Sequence, residues 1–323
     1  MQTPSSHGLV VLDGGDGPHR ASDGRRPIPH AERPERTRAV EDVLRGAAFA
    51  DRLVFEAAPL AERDLVTRVH SPRHVEAIER RCASGGGWFD SDTYCAPESF
   101  DIALRAVGAA VRAARAVTDG EYASAFAACR PPGHHAERDR PMGFCLFDQV
   151  AVCVEDLVAT GRASRVFVLD FDVHHGNGTQ HLFEERADVF YASLHQSHCF
   201  PGTGAAHERG VGAGAGATLN VPLPAGSGPD LWLRALDEQV LPALASFAPD
   251  VLVFSAGFDG HRADPLASCE LESATFGEIT RLALDAARPS TGGRAVSVLE
   301  GGYELTALGE SAAAHVEALL AER

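Results

Sequence analysis

The stretch DFDVHHGNGTQ, from Asp170 to Gln180, sets two aspartates and two histidines within six positions at the end of an apolar run. Carboxylates and imidazoles taken out of water without partners are destabilising by several kcal/mol, so such a cluster implies a metal, a tight hydrogen-bond network, or both. In an extended chain the two-residue period sends Asp170, Asp172 and His174 to one side and His175 to the other. Asp172 and His174 supply part of a catalytic metal site, which typically takes three protein ligands and leaves a position open for water. Asp259, in GFDGH at the end of another apolar run, is the natural third ligand. A second polar stretch, RPPGHH (130–135), places His134 and His135 behind prolines and a glycine that fix a sharp turn. Neighbouring imidazoles held near a metal have perturbed titration, which general acid/base chemistry requires.

Apolar runs of strand length recur along the chain: LVVLD (9–13), SAFAAC (124–129), RVFVLDF (165–171), VFYASLH (189–195), TLNVPL (218–223), VLVFSAG (251–257) and AVSVLEG (295–301). They are continuous rather than alternating, as in strands buried on both faces. Helical patterns lie between them, over 32–47, 100–117, 148–161, 229–244 and 305–322, and 71–82 opens with a serine cap and a proline at the first helical position. This alternation predicts an α/β fold around a mainly parallel sheet, and with no linker in sight a single domain over 1–323. In open α/β sheets ligands bind beyond the carboxyl ends of the strands, which is where the polar clusters fall. The glycine-rich GVGAGAGA (210–217) leads into a strand-like run rather than a helix, so it reads as a loop and not a dinucleotide site.

At 323 residues and 45% hydrophobic, the chain can fill a sizeable core. Its net charge of −16 argues against nucleic acid or an anionic membrane as partner and favours the approach of cations. No run of 18 apolar residues appears and the N-terminus lacks the basic and apolar regions of a signal peptide, so a cytoplasmic location is expected. The seven cysteines are odd in number and contain no C-x-x-C pair, which predicts reduced, mostly buried thiols. The sequence leaves oligomeric state open, and a homo-oligomer is compatible with it.

RPPGHHA, GFCLF, DFDVHHGNGTQ, FPGTG, GFDGHRADPLA and LEGGY, in this order over nearly the whole chain, resemble the histone deacetylase superfamily. The similarity is greatest to its class II and bacterial amidohydrolase branch, which includes acetylpolyamine amidohydrolases. The resemblance implies the three-layer α/β/α arginase/deacetylase fold and zinc held by Asp172, His174 and Asp259, although two carboxylates and an imidazole also suit ferrous iron. It implies that Asp170 bonds His134, that Asn177 holds His135, and that Tyr303 is the catalytic tyrosine. A structural potassium would use Asp170 and Ser193 side chains with carbonyls of Asp172, His174 and Leu194. Gly143, Phe144 and Phe200 would line a narrow channel for an alkyl chain ending in an amide, with Leu266 and Asp92 at its mouth. The expected substrate is an acylated amine, either acetyl-lysine-like or an acetylpolyamine. His135, with a neutral asparagine partner, is the expected base, and His134 beside Asp170 the more cationic partner. Two departures from the family pattern, HAERPER (30–36) and FDQ (147–149), bear on the entrance and on the first turn of a helix.

Two rivals are weaker. A binuclear ureohydrolase of the arginase type needs a further carboxylate two residues after His174, where this chain has Gly176. A module that binds acyl-lysine without cleaving it would be expected to lack a ligand, the tyrosine or a histidine, and all are present.

Overall fold

The computed structural model describes residues 7–13, 17–22 and 28–321; residues 1–6, read above for a leader, and Glu322, in the expected last helix, fall outside them. Eight strands form one sheet: β1 (Gly8–Leu12), β2 (Leu53–Ala57), β5 (Ser124–Ala128), β6 (Val166–Asp170), β7 (Val189–Gln196), β8 (Thr218–Leu223), β9 (Val251–Ala256) and β10 (Ala295–Leu299). Their order is β2-β1-β5-β10-β9-β6-β7-β8 and every pairing is parallel. A small antiparallel hairpin, β3 (Gly87–Trp88) and β4 (Tyr94–Cys95), stands apart. Side chains alternate across the sheet into two apolar layers, which is why the strand sequences are apolar throughout.

On one face, Val166, Val168, Val251, Val253, Val296 and Val298 pack with α3 (Pro72–Ala83), α4 (Ser99–Thr118) and α5 (Gln149–Ala159). On the other, Phe167, Leu169, Leu252, Phe254 and Leu299 pack with α1 (Glu35–Gly46), α7 (Pro229–Ala235), α8 (Leu241–Phe247), α9 (Ser273–Thr291) and α10 (Leu305–Leu319). This is the α/β fold around a parallel sheet that the sequence predicts, in the three-layer form the family resemblance implies. Short helices α2 (Arg63–Thr67) and α6 (Asn177–Phe183) complete it. None of the helices among the described residues is long and apolar enough to cross a membrane.

Local chemistry accounts for the element ends. Ser71 caps α3 by accepting from the His74 amide at 3.3 Å, with Pro72 next. Asp148 caps α5 through the Ala151 amide at 2.7 Å, and Gln149 donates to the Pro131 carbonyl at 3.0 Å, so the variant FDQ turn is fully tied. The pattern over 229–244 is interrupted: a π-helical segment, Leu236–Val240, joins α7 to α8, and the left-handed Ala248 ends the run. GVGAGAGA is a loop with one 3-10 turn leading into β8. Strand β2 and helices α2, α6 and α9 were not among the predicted elements. All seven cysteines are free, six of them buried.

Candidate active site

Four central strands deliver the polar cluster. Beyond β6 come Asp172 and His174, beyond β9 comes Asp259, beyond β5 the His134–His135 turn, and beyond β10 Glu300 and Tyr303. Donor atoms of Asp172, His174 and Asp259 lie within 4.8 Å of one another, and all three residues are buried. Nδ1 of His174 stands 3.0 Å from Asp259 Oδ2 and 3.3 Å from Asp172 Oδ1. The carboxylates are braced from behind, Asp172 by the Gly301 amide at 2.8 Å and Asp259 by the Val173 amide at 3.0 Å. Glycine is required at 301, since a Cβ there would lie 2.2 Å from Asp259 Oδ2 and 2.5 Å from Asp172 Oδ2. Two buried carboxylates this close repel, and one imidazole between them satisfies neither fully. A divalent cation meets all three donors, so the set fits a metal.

His134 Nδ1 meets Asp170 Oδ2 at 3.0 Å, and His135 Nδ1 meets Asn177 Oδ1 at 2.9 Å, the two pairings expected. Burial opposes a charge on His134, but the Asp172 and Asp170 carboxylates outweigh it and raise the imidazole to about 10. Burial, reinforced by the neighbouring His134 and His174, instead pushes His135 well below its ordinary range. The two neighbouring imidazoles are thus driven in opposite directions. Glu300, buried and pushed up to about 8 by burial, accepts from the Gly133 and His134 amides at 2.6 and 3.1 Å and so holds the turn.

A cavity of about 190 Å³ leads from His135 and His174 past Tyr303, Gly143, Phe144 and Phe200 to Asp92 and Leu266. All five residues expected of the channel line it. Phe200 sets its ring across His135 at 5.0 Å between centroids, and Phe144 meets Tyr303 at 5.6 Å. Phe144 adopts φ 68°, costly for a bulky side chain, and its amide donates to Thr93 Oγ1 at 3.2 Å. His175 faces away from the cluster, bonding Thr203 and Gln180 at 2.8 and 2.9 Å, although residues 172–174 form a bend rather than the extended chain expected. Strand register places Asp170 beside Ser193, with Leu194 next along β7.

Asp172, His174 and Asp259 thus form a buried cluster that could hold a cation at the foot of an aromatic slot, with an imidazole and a phenol beside it. Residues 30–319 match the histone deacetylase domain. The chain belongs to the histone deacetylase family. It is 42% identical to a histone deacetylase-like amidohydrolase of Pseudomonas aeruginosa over 85% of this chain and 72% of that one. It is 39% identical to histone deacetylase 15 of Arabidopsis thaliana over 91% of its own length, and the match spans 53% of that longer protein. A crystal structure described as the HDA15 HD domain superposes with a TM-score of 0.92 at 37% identity, covering 98% of this chain and 89% of that one. Membership makes it a deacetylase-type hydrolase, of a family acting on acylated amines.

Sequence reasoning missed several groups that hold this family site together. Arg36 donates to the Glu300 and Gly302 carbonyls and lies 4.8 Å from the Tyr303 ring centroid. Asp264 accepts from the Tyr303 amide at 2.6 Å and the Leu266 amide at 3.0 Å, tying tyrosine to channel mouth. Buried Glu32 and Arg130 pair at 2.7 Å, and His30 contacts the Asp92 carbonyl at 3.2 Å, so the variant HAERPER segment supports the entrance. The presence of charge inside HAERPER and RPPGHHAE was the available signal, without indicating its partners.

Proposed function

We propose that this chain is a zinc-dependent amidohydrolase that removes the acyl group from acetyl-lysine-like substrates. The observation that carries the reading is the convergence of Asp172, His174 and Asp259 at the foot of the cavity that His135 and Tyr303 also line. Zinc held by these three would supply Lewis acidity and a lowered water pKa. Phe144 and Phe200 would confine the alkyl chain and exclude water. His135, neutral and bonded at Nδ1 to Asn177, would take a proton at Nε2 from the attacking water and return it to the departing amine. Tyr303 would donate to the carbonyl oxygen as negative charge builds there. His134, pushed towards the cationic form by Asp170, would act electrostatically. Ferrous iron suits the same donors. A potassium held by Asp170 and Ser193, with the carbonyls of Asp172, His174 and Leu194, would offset buried charge behind the site.

The alternative substrate is an acetylpolyamine, and Asp92 at the cavity rim is the feature that favours it. Leu266, 37% exposed at the same rim, favours the lysine-like substrate. A glutamate there would offer the polyamine ammonium a charge-assisted contact worth about 1.5–3 kcal/mol, which leucine cannot make. The test is the ratio of kcat/KM for an acetyl-lysine peptide and N-acetylspermidine in wild type and Leu266→Glu. We expect the wild type to favour the peptide and Leu266→Glu to move the ratio towards the polyamine. A tenfold wild-type preference for the polyamine, unmoved by Leu266→Glu, would overturn the assignment.

A further inference from the structure

Behind His135 a chain of polar groups leads away from the cavity to the surface. His135 Nδ1 meets Asn177 Oδ1 at 2.9 Å, the Asn177 amide nitrogen donates to Glu137 Oε1 at 2.5 Å, and His181 Nδ1 meets both Glu137 oxygens at 2.9 and 3.0 Å. Asn177 is buried, whereas the side chains of Glu137 and His181 are 19% and 43% exposed. The outer end opens on a cleft of about 310 Å³.

A carboxamide turned end for end fills the same volume but offers N–H where its oxygen had been. The imidazole beside it responds to that difference. An oxygen facing Nδ1 calls for a proton on Nδ1 and leaves a lone pair on Nε2. An N–H facing Nδ1 calls for a bare Nδ1 and puts the proton on Nε2, where no further proton can be taken up. The other contacts of the Asn177 amide nitrogen are long, 3.3 Å to the His135 carbonyl and 3.4 Å to Met142 Sδ. An ionised carboxylate accepts and never donates, so Glu137 admits one orientation only.

We propose that Glu137, steadied by His181, is a positioning residue that fixes the Asn177 carboxamide and so keeps His135 in the Nδ1–H tautomer with Nε2 free. The inference rests on the reading of His135 as the proton acceptor. It also explains why a chain with asparagine at 177 uses a third group. An aspartate there would present oxygen to Nδ1 whichever way it turned, so Glu137 would no longer be needed to orient it and would instead meet its second oxygen as a like charge.

The experiment compares wild type, Glu137→Gln, Asn177→Asp and the double variant. Histidine-selective 15N NMR on metal-free protein reads the tautomer, with the His135 signals identified by their loss in His135→Gln. Kinetics of the metal-loaded proteins on an acetyl-lysine peptide read the consequence. We expect one Nδ1–H tautomer in wild type and a mixture with Nε2–H in Glu137→Gln, with kcat down about ten- to a hundredfold and KM unchanged. In the Asn177→Asp background, adding Glu137→Gln, which relieves that like-charge contact, should neither lower kcat nor bring in the Nε2–H tautomer. A pure Nδ1–H signal in Glu137→Gln, or an equal fall of kcat in both backgrounds, would overturn the proposal. A wild type without deacetylase activity would remove the proposed function, while the NMR comparison would still decide this inference.

Discussion

Tyr303 stands in the cavity wall with its ring against Phe144 and the Arg36 guanidinium beside it. Burial pushes its phenol well above the ordinary range, so it keeps the proton it would donate at neutral pH. Tyr303→Phe should therefore lower kcat by about two to three orders of magnitude, as loss of one oxyanion donor does elsewhere, with metal content unchanged. Stopped-assay kinetics with elemental analysis of the same sample checks this, and wild-type turnover in the variant would move the role elsewhere. At this scale the sequence was informative where chemistry was concentrated. Asp172 and His174 follow β6 and Asp259 follows β9, so the rule that ligands gather beyond strand ends was enough to unite them. Glu137 was not legible as a partner of Asn177. A glutamate following two histidines looks the same whether it is solvated or bonded 40 residues away. Arg36 is likewise joined to residues some 266 positions distant, which no local pattern reveals.

Strand ends, not whole strands, carry the site, and the turns beyond β6, β9 and β10 are packed closely enough that one methyl group matters. In Gly301→Ala the new Cβ would meet two ligand carboxylates below normal contact distance, with the Asp172-bracing amide on the same residue. We expect metal affinity to fall at least tenfold, within the usual range for loss of a supporting contact, while the far-ultraviolet circular dichroism stays unchanged. A competition titration with a chromogenic chelator measures it; unaltered affinity would show that the turn can yield. The alternation of apolar strands and amphipathic helices made the layered fold readable, because strands buried on both faces are apolar throughout. Helix α9 escaped because Gly277 and Pro289 dilute its pattern, and burial of Phe276, Ile279 and Ala283 against the sheet supplies what propensity does not. Strand β2, at the sheet edge and half-buried, lacks the continuous apolar run that marked the others.

For the molecule as a whole, buried neutral histidines set the response to acid. His315, fully buried, sits among Phe126, Phe171, Phe254 and Phe258 and hydrogen-bonds Thr280 and Ser297; burial lowers it to about 3. His70 and His175 are lowered to about 3 for the same first reason, burial. The unfolded chain takes up protons near the ordinary histidine value of about 6.5 while the native state does not, so stability falls as pH drops from about 6.5 towards 3. Each such group contributes a slope of about 1.4 kcal/mol per pH unit within that window. His315→Gln should flatten the dependence of unfolding free energy on pH by about one proton between about pH 4 and 6, measured by urea denaturation. An unchanged slope would mean that His315 takes up its proton without unfolding. The central claim concerns the centre that four strands converge to build, and the most direct measurement is metal content and amide hydrolysis followed together through chelation and reconstitution. The account predicts one zinc or iron per chain in active protein, loss of acetyl-lysine peptide hydrolysis on chelation, and recovery on readdition of the metal, with Asp259→Asn failing to recover. Hydrolysis that persists in metal-free protein, or active protein containing no transition metal, would contradict it.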